Sequence, residues 1–271
     1  MALSNPAFSR NAVFNSQGAV ATAQNVSAAQ LDEIYNRSSA PVDRPAGDVM
    51  TVEDTIAKTA GAFALLLVGA ALGWVTADTI PFLWIGAAIV GLVLGLVNSF
   101  KKEPSAPLIL IYSAVQGVFV GGISSFYESA FPGIIIQAVI ASLVVVGVTL
   151  ALFASGKIRA SKLATKIFLI AMVGYLVFSL VNFALVAFGI NSDPYGLRGS
   201  VEIFGIPLGI ILGIFVVLLA AYSLVLDFDF IQRGVQNNAP RKYGWTGAFG
   251  IMVTIIWLYL EILRMLALSR R

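Results

Sequence analysis

Seven stretches of this chain are apolar for about twenty residues each, and nothing else in it constrains the fold as much. They fall at about 57–77, 81–100, 107–126, 132–154, 165–189, 204–227 and 247–267. Crossing ~30 Å of hydrocarbon at a rise of ~1.5 Å per residue takes ~20 residues, so each run is the length of a membrane span. A backbone facing lipid must satisfy its own hydrogen bonds, and the runs lack the two-residue alternation of a barrel strand. The expected fold is therefore all-α and integral to the membrane, a bundle of seven transmembrane helices. Composition agrees: 58% of residues are hydrophobic and 11% charged, against roughly a quarter charged in a soluble domain. The breaks carry turn residues, at Asp78–Pro81, Glu103–Pro107, Phe131-Pro132-Gly133, Ser155-Gly156 and Asn191–Gly199.

Residues 1–55 are rich in Ala, Ser, Asn and Gln. They read as a disordered cytoplasmic tail with a short helix around Ala28–Asn36, ahead of a transmembrane domain over 56–271. Met1–Val20 has no early apolar core leading to a cleavage site, so the first span is expected to direct insertion. Lys101 and Lys102 lie in the second-to-third connection, and Lys157, Arg159, Lys162 and Lys166 in the fourth-to-fifth. Arg233, Arg241 and Lys242 lie in the sixth-to-seventh, whereas the alternate connections are acidic or near neutral. The positive-inside rule puts the basic loops and the N-terminus in the cytoplasm, suiting a bacterial inner or plasma membrane. Seven spans then place Arg264, Arg270 and Arg271 at or near the outer side, against that rule.

The chain has no cysteine and no histidine. Any response to pH near neutrality then falls to carboxyl groups in unusual surroundings. No basic stripe with interleaved aromatics points to nucleic acid. Neither a phosphate-binding glycine loop nor a histidine zinc motif occurs, and the sequence contexts expected of an intramembrane aspartyl protease are missing, so no enzyme is expected and no cofactor. Glycines recur four apart at Gly69/Gly73, Gly91/Gly95, Gly117/Gly121 and Gly205/Gly209/Gly213. That spacing lets helices approach closely in lipid, here expected within the bundle, although a dimer interface has the same pattern. Trp74, Trp84, Tyr112, Tyr243 and Trp245 lie near span ends, as an aromatic belt would place them.

The chemistry is expected from acids at membrane depth. Asp227 and Asp229 close the sixth run, and Glu261 stands inside the seventh, in IIWLYLEILRML. A buried carboxylate costs roughly 2.5–3.5 kcal/mol on insertion scales unless it is paired, protonated or wetted. Asp227 and Asp229 lie about 200° apart on a helix, so one faces the bundle and the other the loop or headgroups. A plain helix end accounts for both equally well. Arg264 is one turn from Glu261, so a local Glu261–Arg264 pair is the plain alternative to a functional one.

LDFDFIQ closing one span and LYLEILRML in the next resemble the closing signature of the Bax-inhibitor-motif family, which includes bacterial YccA- and YetJ-like members. QGVFVGGISSFYES, from Gln116, resembles that family's third-helix element. The likeness covers about 57–271 and leaves the tail outside. It implies a pH-sensitive calcium leak in which acids on helices six and seven share a proton and gate a pore. Asp227 and Glu261 match those acids, Asp229 falls where the family has a neutral polar group, and Lys101 or Lys102 would be the latch for Asp227. Ca²⁺ would be a permeant ion weakly held by Asp227 and Glu261. Asp227 lies six residues, ~9 Å, from Arg233, and Glu261 sixteen residues, ~24 Å, from Trp245, so the two meet only if the seventh helix starts late or is broken near Gly244, Gly247 and Gly250. The alternatives are a proton-coupled transporter using the same acids, and a non-conducting regulator of membrane proteolysis or stress with a membrane protease or other membrane protein as partner. Oligomeric state is open.

Overall fold

The computed structural model describes residues 48–80 and 82–271. It contains seven helices long and apolar enough to cross a membrane, in the order the sequence predicts. They are α1 (Val52–Thr76), α2 (Leu83–Phe100), α3 (Ala106–Ala130), α4 (Ile134–Ala154), α5 (Lys162–Ala187), α6 (Leu208–Gln236) and α7 (Gly244–Ser269). A helical turn at Leu197–Ser200 and a two-stranded hairpin, β1 (Glu202–Ile203) with β2 (Ile206–Pro207), fill the connection from α5 to α6. The tail over 1–47, with its expected short helix, lies outside the described residues.

The helix starts are written locally. Thr51 caps α1, its hydroxyl accepting from the Asp54 amide at 3.1 Å. Ser161 does the same for α5, accepting from Ala164 at 3.2 Å. Glu128, at the end of α3, reaches over the start of α4 and accepts from the amides of Gly133 (2.6 Å) and Ile135 (3.2 Å). That carboxylate sits where helix N-terminal amides converge, which favours negative charge.

Two boundaries differ from expectation. Part of the segment read as tail belongs to the bundle: the Met50 amide donates to the Ala239 carbonyl at 2.8 Å and the Arg241 amide to Asp48 at 2.9 Å. Met50 is buried. Asp54 of α1 then accepts from the Arg241 guanidinium at 2.7 and 2.9 Å, tying the start of α1 to the α6–α7 connection. Nearby, Lys242 pairs with Glu103 at 2.9 Å and holds that carboxyl below the usual carboxylate range. The second difference is α6, which begins after the hairpin and runs nine residues beyond Asp227. Polar residues past the apolar run do not end a helix; the stop comes at Asn237–Pro240, where Asn238 turns to φ 49°.

α7 is the centre of the bundle, with residues from Gly244 to Leu268 buried along its length. Around it stand α1, α3, α4 and α6. By contrast α2 buries only Ala87 and Gly91, and α5 only Phe168, so these two lie outermost. The glycine spacing is used inside the bundle. A Cβ on Gly69 would stand 2.2 Å from the Ala114 carbonyl oxygen of α3, and one on Gly121 would stand 1.9 Å from that of Ala70. Gly91 and Gly95 of α2 face Gln116 and Tyr112 of α3, while Gly213 faces Met265. Gly205 is no helix contact; it takes φ +77° beside Phe204 at φ 54°, the paired positive φ of a tight hairpin turn. Tyr112 is also core rather than belt, buried and packed edge-on against Phe249 at 5.1 Å.

Candidate functional site

α6 carries Asp227 and Asp229 on opposite sides. Asp229 points away from the bundle centre and pairs with Arg233, one turn on, at 2.8 Å. Asp227 faces α7, where the Thr254 hydroxyl donates to Oδ2 at 2.8 Å and Ser223 stands 3.2 Å from that same hydroxyl. Gly250 makes the room: a Cβ there would lie 2.6 Å from Asp227 Oδ1. One turn toward the basic loops, Ile231 closes over Gly247 beside Thr55, an apolar plug between the carboxyl and that face. Asp227 thus has one hydroxyl partner, Thr254, itself backed by Ser223, and among the described residues no cation in contact.

Lys101 and Lys102, the expected latch, are exposed at the end of α2 and make no ion pair with Asp227. α2 is one of the two outermost helices and packs mainly on α3.

Glu261 has quite different surroundings. Its Oε1 accepts from Arg198 Nη1 at 3.2 Å, and its Oε2 from the Tyr175 hydroxyl at 2.7 Å and from Arg264 Nη1 at 2.6 Å. Arg198 Nη2 also donates to Tyr175 (2.9 Å) and to Ser179 (3.0 Å), both on α5. The local Glu261–Arg264 pair therefore exists as part of a larger cluster. Both Glu261 and Arg198 are buried, at 2% and 5% exposure. Arg198 comes from the α5–α6 connection, and the fold turns it inward with two local devices. Asn182 imitates a backbone segment, donating to the Tyr195 carbonyl at 3.1 Å and accepting from the Leu197 amide at 2.7 Å. Gly196 at φ +61° packs on that amide where a Cβ would lie 2.4 Å from it.

Asp227 and Glu261 do not meet. Thr254 marks the level of Asp227 on α7, and Glu261 is seven residues further along, ~10 Å at helical rise. The reason is that α7 starts at Gly244 and runs unbroken through Gly247 and Gly250. These glycines serve close packing against α1 and α6 rather than a break. A shared proton or a joint metal site between the two acids is absent from this structure, and the described residues hold no group of three or more acid, His or Cys side chains that could bind a metal.

Sequence reasoning missed Arg198, Tyr175, Ser179 and Thr254. Tyr175 and Asn182 were visible as polar groups inside a long apolar run, a signal of inward-facing contacts. Around the Glu261 cluster lies a cavity of about 690 Å³ between α3, α5, α7 and the α5–α6 connection.

The seven-helix bundle with its acids on the last two spans agrees with a sequence comparison. A family model described as Bax inhibitor 1 like matches residues 5–271. The chain belongs to the Bax inhibitor 1-like family. The match takes in nearly all of the N-terminal tail, which the resemblance of the closing motifs had left outside. No curated protein matches the chain. In this family member the sixth-helix acid is half-buried against α7 and the seventh-helix acid is held by two arginines.

Proposed function

We propose that the chain is a pH-sensitive cation leak, with Ca²⁺ the permeant ion and Asp227 the group that senses protons. One observation carries the reading: a carboxyl two-thirds of the way along a 29-residue helix, facing the central helix, with a hydroxyl partner and, among the described residues, no cation in contact. Such a group is expensive as a bare anion at membrane depth and is stable when it holds a proton, water or a passing cation. Protonated, Asp227 is neutral and offers a cation little. Ionised, it supplies the hard oxygen ligand a divalent ion prefers, but one carboxylate with hydroxyls makes a weak and readily vacated site. The leak is thus low in acid and rises as the proton leaves. Glu261, already neutralised by Arg198 and Arg264, takes no part in the gate. The reading needs no catalytic chemistry. The basic loops support, by the positive-inside rule, a reading in which their face is cytoplasmic, as in a bacterial inner membrane.

The test is calcium flux into liposomes holding the purified chain, scanned from about pH 5 to 8, the physiological window. Wild type should leak more as pH rises, Asp227→Asn should leak little at every pH, and Glu261→Gln should keep the wild-type pH profile. Flux that flattens equally in Glu261→Gln would restore the shared-proton pair. An Asp227→Asn profile identical to wild type would remove Asp227 from the gate.

A further inference from the structure

The cavity beside Glu261 has a charge that the proposed leak does not use. Two guanidiniums, of Arg198 and Arg264, converge on the single carboxylate of Glu261. At the rim Arg271 and Asp193 cancel each other in a pair at 2.8 Å. Among the described residues the inner cluster therefore keeps one positive charge without an anion, with Arg198 buried and Arg264 a third exposed, eight residues, ~12 Å, short of the end of α7. An uncompensated buried charge is costly, and arginine's planar fork is the group best suited to recover that cost from a carboxylate or phosphate. The hydroxyl of Ser179 accepts from Arg198 and retains its own hydrogen to donate. Tyr175 and Phe178 flank the Arg198 guanidinium at 5.1 and 5.6 Å, which fixes its plane.

The remaining walls are of another kind. Phe126 of α3 and Phe131 just after it, Phe183 of α5, and Trp257 and Leu260 of α7 line the same space. At about 690 Å³ it exceeds anything an inorganic ion needs and suits a small organic molecule. One wall thus offers positive charge and the rest an apolar, largely aromatic surface, and the outermost helix α5 forms one side.

We infer that this cavity binds an anionic amphiphile, its carboxylate or phosphate head on Arg198 and Arg264 and its apolar body against Phe126, Phe183 and Trp257. The site is separate from Asp227 and does not depend on the leak. The head could be that of a membrane lipid or of a free organic anion, and the chemistry of recognition is the same.

Trp257 supplies the readout. The purified full chain in neutral detergent is titrated with brominated stearate and with a brominated phosphatidic acid, which quench tryptophan on contact. Brominated phosphatidylcholine serves as the zwitterionic control, and citrate and inorganic phosphate as soluble competitors. Expected is saturable quenching by the anionic amphiphiles, absent in Trp257→Phe. Arg198→Gln or Arg264→Gln should weaken binding by about tenfold or more, the loss of a charged hydrogen bond. Glu261→Gln should strengthen it, because it frees both guanidiniums; a purely structural ion cluster would instead lose binding in every variant. Lys157→Gln, exposed at the opposite face, should leave quenching nearly unchanged and controls for folding. Competition by citrate or phosphate would support the anion site and assign its source to solution, whereas indifference to both assigns it to lipid. Equal quenching by phosphatidylcholine, or weakened binding in Glu261→Gln, would overturn the inference.

Discussion

Glu261 shows why a residue's neighbours in sequence are poor guides to its partners in a membrane bundle. Arg264 was legible one turn away, since i and i+3 share a helix face. Arg198 was not. It sits 63 positions earlier in a connection whose charges nearly cancel, and only the Asn182 and Gly196 contacts swing it inward. That one of Asp227 and Asp229 faces inward was legible from the ~200° between them, and the resemblance pointed to Asp227, but its hydroxyl partner Thr254 was not legible, because that contact depends on how far α7 slides along α6. The cluster has a stability consequence. Removing one partner of a buried ion pair leaves the rest uncompensated and costs about 3–5 kcal/mol, whereas replacing the pair by apolar groups of similar volume is often close to neutral. Glu261→Ala should therefore lower the thermal midpoint in detergent by more than the double variant Arg198→Met/Glu261→Leu does. A double variant less stable than Glu261→Ala would mean that the charges hold α5 in place by themselves.

Among the elements, α1 and α3 make the closest approach, and the reason is glycine. Apolar burial cannot drive association in lipid, so contact area and close backbone packing must. The four-residue spacing in both helices announced this, and the fold uses it within one chain. Helix lengths were less legible, because hydropathy shows where hydrocarbon ends and not where the helix does; α6 continues to Gln236 past every polar residue after Asp227. Gly121 tests the packing account. Its added methyl would meet backbone, which cannot rotate away, so Gly121→Ala should cost about 1–3 kcal/mol or more, the range for overpacking. In α4, Gly147 has nothing within 4 Å of a built Cβ, so Gly147→Ala should be neutral or slightly stabilising. Thermal unfolding of the two variants in the same detergent separates them. Equal midpoints would show that α1 and α3 can part without loss.

For the whole molecule the question is which way seven spans run, and the three arginines near the C-terminal end pose it most sharply. The positive-inside rule counts Lys and Arg near span ends, and we take its physical basis to be cations available to interact at the membrane surface. These arginines are not available in that sense. Arg264 is engaged by Glu261, Arg271 by Asp193, and Arg270 donates to the carbonyls of Phe131 and Pro132 and to Gln137. Ten cationic residues at the opposite face include Lys101, Lys102, Lys157 and Lys162, which make no ion pair among the described residues. Among the described residues the unpaired cations therefore lie at one end of the bundle, and α7, at 26 residues, is ~39 Å long, enough to cross fully. Topology should follow the free charge and not the total. The chain contains no cysteine, so single introduced thiols can be labelled without background. In sealed cells a membrane-impermeant maleimide should reach Ser269→Cys and Ser129→Cys, and should reach Lys102→Cys and Lys157→Cys only after permeabilisation. Labelling of Ser269→Cys from the same side as Lys157→Cys would mean that α7 turns back within the membrane and that its contacts with the α5–α6 connection do not form there.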